Sequence, residues 1–165
     1  MQSPDIGQEG RTFVIFRLGA EEYGLAIERV QSIIRFEQAT PVPRAPESVM
    51  GVINLRGQVI PVVDLVRRLS GGGFVPGPAS RIVVTEGEAG TVGLAVDAAN
   101  EVVSLAAAEI RPAPEGALGP ETAEMFEGVV ERDGRLVILL DFDKAVPRSE
   151  YARATETEAE GGSDA

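Results

Sequence analysis

The feature that most constrains this fold is a β-hairpin pattern that occurs twice. Residues 50–65 read MGVINLRGQVIPVVDL and residues 127–142 read EGVVERDGRLVILLDF, at an offset of 77 residues without a gap. The β-branched residues that fill both arms of the first copy suit a half-buried pleated surface. Gly57 and Gly134 can adopt a positive φ at each reversal. The pattern predicts two related hairpins, with Arg56 at one tip and Asp133 at the other. Because Pro61 cannot donate a ladder hydrogen bond, its arm is predicted to be an edge strand or bulged.

A second pair of segments repeats in the same order. Residues 23–34, YGLAIERVQSII, resemble residues 92–103, VGLAVDAANEVV, at an offset of 69 residues. Two offsets this close indicate one structural unit used twice, with a longer connector in the second copy. Residues 28–34 are predicted to form a short helical turn, because Val30, Ile33 and Ile34 are spaced three and four apart.

Turn signals every eight to twelve residues and the lack of a long amphipathic pattern predict an all-β fold. Each half offers about five strands, and a five-stranded sheet hides its edges best by closing into a small barrel. Short helices are expected at 66–69 and, near the C-terminus, at 149–155. The acidic end, residues 148–165, is expected to be largely disordered.

The composition narrows the possible functions. The chain has 165 residues, a formal net charge of −11, no histidine and no cysteine. Nucleic acid is not expected as a partner, because phosphate binding draws on clustered Lys and Arg. Without histidine the chain lacks the commonest general base, and without histidine and cysteine it lacks the ligands of a structural zinc site. No metal or other cofactor is therefore expected. No stretch approaches the length of a membrane-spanning helix and no secretory signal is recognised, which favours the cytoplasm without membrane insertion.

The best remaining candidates for catalysis are two carboxylates at equivalent positions of the repeat. Asp64 and Asp141 each follow the second arm of a hairpin. Equivalent placement favours a structural role, in which each side chain caps the turn where its hairpin ends. A carboxylate-based hydrolytic or small-ligand-binding twin barrel remains the alternative.

The segments YGLAIERVQSI, GVINLRGQVIPVVDL, VGLAVDAANEVVSL and IRPAP resemble the CheW family of chemotaxis coupling proteins. The resemblance covers roughly residues 13–146, and its most specific part is the N-L-R-G run followed by V-I-P-V-V-D-L. It implies two five-stranded SH3-like barrels within a CheW-like domain at 11–147. The first barrel would lie mainly in 20–75 and the second mainly in 80–142, with terminal strands that can exchange between them.

The resemblance also implies a function. It implies a non-catalytic, cytoplasmic adaptor, recruited to membrane-associated arrays, that joins chemoreceptor cytoplasmic tips to a CheA-type histidine kinase. Carried over by position, the receptor site would lie in a groove between the barrels and include Val30, Ile33, Gly51, Arg56, Ile82 and Gly93. The kinase site would include Val42, Pro43 and Arg56. Many family members carry Glu two residues after the position of Val30, where this chain has Ser32.

Arg56 has a physical case of its own. A hairpin-tip arginine presents five donors in a rigid fork and suits carboxylates or carbonyls of a partner or of the neighbouring barrel. The alternative is a solvated turn residue, because loop tips are usually exposed.

Overall fold

The computed structural model describes residues 10–70, 72–112 and 123–152. In this part of the chain ten strands form, and eight of them make four antiparallel hairpins of consecutive strands joined by short turns. Their bounds are β1 Gly10–Leu18, β2 Glu21–Ala26, β3 Val30–Arg35, β4 Val49–Leu55, β5 Gln58–Asp64, β6 Arg81–Gly87, β7 Gly90–Val96, β8 Ala98–Ala106, β9 Phe126–Arg132 and β10 Arg135–Leu140. Two short helices follow hairpins, α1 Leu65–Ser70 and α2 Phe142–Ala145, and residues 148–152 form a further helical segment. The all-β class is confirmed.

The strands form two five-stranded sheets, and each sheet takes strands from both halves. Sheet I has the order β8-β1-β2-β10-β9, and sheet II has the order β3-β6-β7-β5-β4. Thus the β1–β2 hairpin of the first half lies in the sheet that the second half completes, and β6–β7 makes the reciprocal exchange. Strands of both predicted spans, 20–75 and 80–142, thus contribute to each sheet, because a whole hairpin lies in the other half's sheet in each direction.

The internal repeat is visible in the backbone. In sheet II, β5 and β7 run parallel with Val62 opposite Gly93; in sheet I, β10 and β2 run parallel with Leu139 opposite Gly24. Both pairs occupy equivalent positions under the two sequence offsets. The same sequence unit thus makes the same contacts twice.

The two sheets do not close into complete barrels, contrary to the predicted closure. In each sheet the outermost strands are not joined by a ladder. A single bridge reaches across instead, from Thr40 to Val52 in sheet II and from Arg111 to Val129 in sheet I. Each bridge belongs to a proline-rich connector, where the residue after the bridge, Pro41 or Pro112, has no backbone N–H to continue a ladder.

Three apolar clusters form the core of the part of the chain that the structure describes. One lies within sheet I around Phe13, Ile15 and Leu139, and one lies within sheet II around Ile60, Val62 and Ile82. The third and largest, the inter-sheet core, joins both sheets; its members from the strands are Phe16, Leu18, Tyr23, Leu25, Val49, Val63, Val83, Val92, Leu94, Val96 and Leu140. Because this core needs both sheets, the halves share one hydrophobic interior.

Two local predictions are wrong. The helical turn is predicted over residues 28–34, but Val30–Arg35 form strand β3 and only Ile27–Arg29 form a 3₁₀ turn. Pairing with β6 overrides the local spacing of apolar residues, as tertiary context often does. Strand β5 is also an internal strand rather than an edge, despite Pro61, and the irregularity in its ladder with β4 lies between Val49 and Gly51 of β4 rather than at Pro61. The parallel ladder between β5 and β7 begins only at Val62, so the donor that Pro61 lacks is not needed there.

The predicted short helix after the first hairpin is confirmed as α1. At the C-terminus, residues 148–152 are helical and Tyr151 is buried. This segment agrees with the helix expected at 149–155 as far as the described residues reach, and it is an ordered part of a tail that is expected from the sequence to be largely disordered. Residues 153–165 lie outside the described part of the chain. Within the described part, no helix is both long and apolar enough to span a membrane.

Candidate partner-binding surface

The hairpin tip that carries Arg56 is a preorganised and exposed turn. Arg56 and Gly57 adopt φ values of 54° and 84°, and Asp133 and Gly134 at the second tip adopt 52° and 76°. Two successive positive φ values are typical of the type I′ turn that suits a two-residue hairpin. The side chain of Asn54 supports the first turn, where its Oδ1 accepts a hydrogen bond from Gly57 N at 2.9 Å.

The guanidinium of Arg56 is free for a partner. Its side chain is exposed and, among the described residues, makes no hydrogen bond or ion pair. Arg56 therefore does not tie the two sheets together within the described structure. The backbone at the tip is held in a defined turn, while the side chain of Arg56 is exposed to solvent.

Strand β3 places two of the predicted receptor residues at the rim of the inter-sheet core. Val30 is half-buried against that core, and Ile33 is 40% exposed. Ile33 lies opposite Val83 of β6, so the two side chains share a face of the sheet. Val83 is fully buried, which makes Ile33 the exposed margin of a buried apolar layer.

Three other predicted receptor residues are buried. Ile82 is 0% exposed, and a Cβ on Gly93 would lie 2.7 Å from its Cγ2. Gly51 has a φ of 147°, and a Cβ there would overlap the carbonyl oxygen of Thr40. These residues sit within the sheet II cluster or under its connector, so their direct effect is on packing beneath the surface. Their predicted contact with a receptor stays a prediction.

The predicted kinase residues lie on the connector between β3 and β4. Val42 is buried and Pro43 is exposed. Two backbone hydrogen bonds of 2.8 Å between Thr40 and Val52 fix this connector to β4. The structure therefore attaches Pro43 to the same hairpin that carries Arg56.

Sequence reasoning missed exposed apolar positions beyond Ile33, among them Val59, Leu136 and Val102. Val59 and Leu136 are 39% and 55% exposed and are equivalent under the hairpin repeat; Ile33 and Val102, at 40% and 56%, are equivalent under the second repeat. Comparing the two copies position by position would have shown that each retains an apolar residue there. Each sheet thus presents exposed aliphatic side chains at matching places.

Arg29 was also missed, because no local pattern distinguishes it. Its guanidinium forms an ion pair with Asp143, donates to the Glu86 carbonyl at 3.1 Å and lies 5.2 Å from the centre of the Phe142 ring. These contacts join the turn before β3 to α2. They fix the β3 edge relative to the end of the chain's second hairpin.

Asp64 and Asp141 act as helix caps. Asp64 Oδ1 accepts from Arg67 N at 3.0 Å, and its Oδ2 accepts from Phe74 N at 2.9 Å. Asp141 Oδ1 accepts from Lys144 N at 3.4 Å at the start of α2. The two carboxylates serve separate helices, which confirms the structural interpretation of the pair.

Among the described residues, the pKa values of two ionisable groups are shifted by their surroundings. Burial raises the pKa of Tyr23 to about 12, helped by the nearby carboxylate of Glu21, which accepts its hydroxyl hydrogen bond at 3.1 Å. A hydrogen bond to Glu127 raises the pKa of Arg11, partly offset by burial. Both shifts stabilise the state already present at neutral pH, so neither indicates acid–base chemistry.

Comparison with known proteins agrees with this geometry. A family model described as a CheW-like domain matches residues 12–150. The chain is 37% identical to the chemotaxis protein CheW of Klebsiella aerogenes, over 87% of this chain and 86% of that protein. It is 37% identical to protein FrzA of Myxococcus xanthus, over 80% and 82% of the two chains. The crystal structure of the scaffolding protein TtCheW from Thermoanaerobacter tengcongensis is similar, with a TM-score of 0.71, 34% identity and coverage of 79% and 84%.

Proposed function

The chain belongs to the CheW-like family of chemotaxis coupling scaffolds, and from this premise we propose that it joins chemoreceptor cytoplasmic tips to a CheA-type histidine kinase. The observation that carries the proposal is that almost the whole described chain matches the CheW-like domain and chemotaxis proteins named CheW. A second observation supports it: exposed Ile33 and exposed Arg56 lie on different strands of sheet II, on β3 and at the tip of the β4–β5 hairpin.

The proposed role is non-catalytic. The two carboxylates best placed by sequence for catalysis each accept a backbone N–H as helix caps. The hydrolytic alternative is not favoured, because it would require these two side chains to act together at one site. We propose that the protein acts in the cytoplasm and is recruited to receptor arrays at the membrane.

We propose that the receptor and the kinase bind different parts of the surface. We assign the receptor to the β3 rim, where Val30 and Ile33 border the inter-sheet core. We assign the kinase to the β4–β5 hairpin and its connector, where Arg56 and Pro43 are exposed. Two separate surfaces on one folded unit would allow a coupling protein to hold two partners at once.

The decisive experiment reconstitutes the three components. The full chain, the receptor cytoplasmic fragments from the same organism and the CheA-type kinase are mixed pairwise and together, then sedimented with the receptors. We expect the kinase to sediment with the receptor only when the chain is present. Equal recovery of kinase with and without the chain contradicts the coupling role. Phosphotransfer or hydrolysis by the chain alone, abolished by Asp64→Asn, contradicts the non-catalytic role.

A further inference from the structure

We propose that two paired arginines, Arg35 of β3 and Arg81 of β6, extend the receptor-binding rim and select an acidic segment of the receptor. The inference rests on the proposed function, since it specifies the chemistry of the partner at the β3 rim.

The strand register brings the two arginines together. Arg35 lies directly opposite Arg81 in the antiparallel ladder between β3 and β6. Residues two apart on a strand share a face, so Arg35 lies on the same face as Ile33. The exposed margin of the inter-sheet core thus continues from an aliphatic residue into a pair of cations.

Nothing acidic in the described chain compensates this pair. The sequence has 26 Asp and Glu against 15 Lys and Arg. The four described ion pairs all use other arginines, namely Arg11, Arg29, Arg132 and Arg135. Glu37 is exposed nearby on the connector but, in the described structure, forms no ion pair with either residue. Like charges directly opposite each other destabilise a strand pair, so this arrangement has a cost within the isolated chain.

One member of the pair is held in place. Arg81 Nη1 donates to the Ser80 carbonyl at 2.8 Å and reaches the Pro78 carbonyl at 3.4 Å. The turn beneath it is closed by Gly77 N donating to Ser80 Oγ at 2.8 Å and by Ser80 N donating to the Gly77 carbonyl at 3.1 Å. A guanidinium with fixed orientation loses little conformational entropy when it binds a carboxylate.

The arginines line an open cleft of about 260 Å³, which also includes Phe36, Gly77, Pro78 and Ser80. Among the described residues, two cations and no carboxylate face this space. Guanidinium groups pair best with carboxylates or phosphates through parallel N–H···O bonds. Continuity with Val30 and Ile33 favours a carboxylate-bearing segment of the protein that covers the β3 rim, which is the receptor under the proposed function.

The test compares two double variants of the full chain. Arg35→Gln with Arg81→Gln removes the paired cations, while Arg17→Gln with Arg148→Gln removes the same charge from β1 of sheet I and from the C-terminal helical segment. Each is titrated against the receptor cytoplasmic fragment at about 50 mM and about 300 mM salt, after thermal melting has shown that the variants are folded.

We expect the paired-arginine variant to bind roughly five- to tenfold more weakly at low salt, because two charge-assisted contacts are lost. Its affinity should also depend less on salt than that of the wild type. The control variant should bind like the wild type. Equal loss in both variants would indicate a general charge effect and overturn the proposal.

The remaining outcomes distinguish the receptor from a small anion and from the chain's own acidic end as the group that the arginines bind. If the wild type does not bind the receptor fragment at all, the proposed function fails. If it binds and the paired-arginine variant matches it at both salt concentrations, only the present inference fails. If ending the chain at Ala154 tightens binding by the wild type but not by the paired-arginine variant, the arginines serve the acidic end, and the receptor assignment is wrong. If the wild type and the paired-arginine variant bind the receptor fragment equally in about 20 mM phosphate, with salt held constant, the pair would be assigned to a small anion instead.

Discussion

At the scale of single residues, two glycines lie where a connector packs directly against a hairpin of its own sheet. A Cβ on Gly51 would overlap the Thr40 carbonyl oxygen, and one on Gly128 would lie 2.7 Å from the Arg111 carbonyl oxygen. These are equivalent positions of the repeat, each lying where a connector bridges to a hairpin. Glycine is required there because backbone, which cannot move aside, occupies the space of a side chain.

We expect Gly51→Ala to lower the free energy of unfolding by roughly 2–4 kcal/mol, because it combines a backbone clash with a φ of 147°. Gly77→Ala is the matched control, since a Cβ there would meet only Ser80 Oγ at 4.0 Å. Urea denaturation of both variants measures the difference. Wild-type stability in Gly51→Ala would show that the connector yields, and would leave Gly51 available as a direct binding residue.

Arg56 gives the opposite prediction, in which binding changes and stability does not. Arg56→Ala should change the free energy of unfolding by no more than about 0.5 kcal/mol, because its side chain is exposed and unpaired in the described structure. Loss of an interfacial arginine should weaken binding to kinase or receptor by ~2 kcal/mol. Asp133→Ala, at the equivalent tip, should have less effect. Calorimetric titration against each partner measures both, and unimpaired binding by Arg56→Ala would reject the role of Arg56.

Tyr23 provides a prediction for alkaline pH. Its pKa is raised from 10.0 in the unfolded chain to about 12 in the folded one, chiefly by burial. The folded state therefore retains the proton between these values while the unfolded state loses it, so stability falls as pH rises through this window. Tyr23→Phe removes this contribution, and its free energy of unfolding should decline less steeply from pH 10 to 12. Parallel slopes for the two proteins, from urea denaturation at each pH, would show that the hydroxyl ionises equally in both states.

At the scale of secondary-structure elements, the C-terminal helical segment at 148–152 is part of the folded body. Tyr151 is 2% exposed, and its hydroxyl accepts a hydrogen bond from Ala89 N at 3.1 Å in the β6–β7 turn. The hydroxyl of Ser48 also donates to Glu150. The end of the second half thus docks onto sheet II, which contains strands of both halves.

We expect a chain ending at Ala154 to melt like the full chain, and one ending at Arg148 to melt at a distinctly lower temperature. The shorter chain exposes the apolar surface that Tyr151 covers, and loss of a buried aromatic side chain costs ~3–5 kcal/mol. Tyr151→Phe isolates the hydroxyl and should cost only about 1 kcal/mol. Identical melting of the two shortened chains would show that the segment does not contribute to stability.

At the scale of the whole molecule, the exchange of hairpins makes the two sheets one cooperative unit. Each sheet is completed by strands from the other half of the chain, and the inter-sheet core draws on both. Neither half contains a complete sheet, so neither has a stable folded state of its own to populate during unfolding.

We therefore expect one thermal transition, with equal calorimetric and van't Hoff enthalpies. Separate fragments covering residues 1–75 and 76–165 should each be unfolded and should recover β structure only when mixed. Circular dichroism of the fragments, alone and combined, tests this. Two resolved transitions, or an independently folded fragment, would show that the sheets are separable despite their shared strands.

The sequence alone determined the repeat, the hairpins, their turns and the identity of the family. These depend on local chemistry: an Asp-Gly or Arg-Gly turn, β-branched arms and a specific motif are all read along the chain. It also predicted Asp64 and Asp141 as caps, because a carboxylate three residues before a backbone donor acts locally.

Only the tertiary structure decided which strands share a sheet, that β3 is a strand, that the sheets stay open and that Tyr151 is buried. It also decided that Ile82 and Gly93 lie inside while Ile33 and Arg35 face outward. These properties depend on pairing between residues distant in sequence, and the energy of that pairing outweighs local preference. No local pattern distinguishes Arg35 and Arg81 in the sequence, and they become a pair only because β3 and β6 align them.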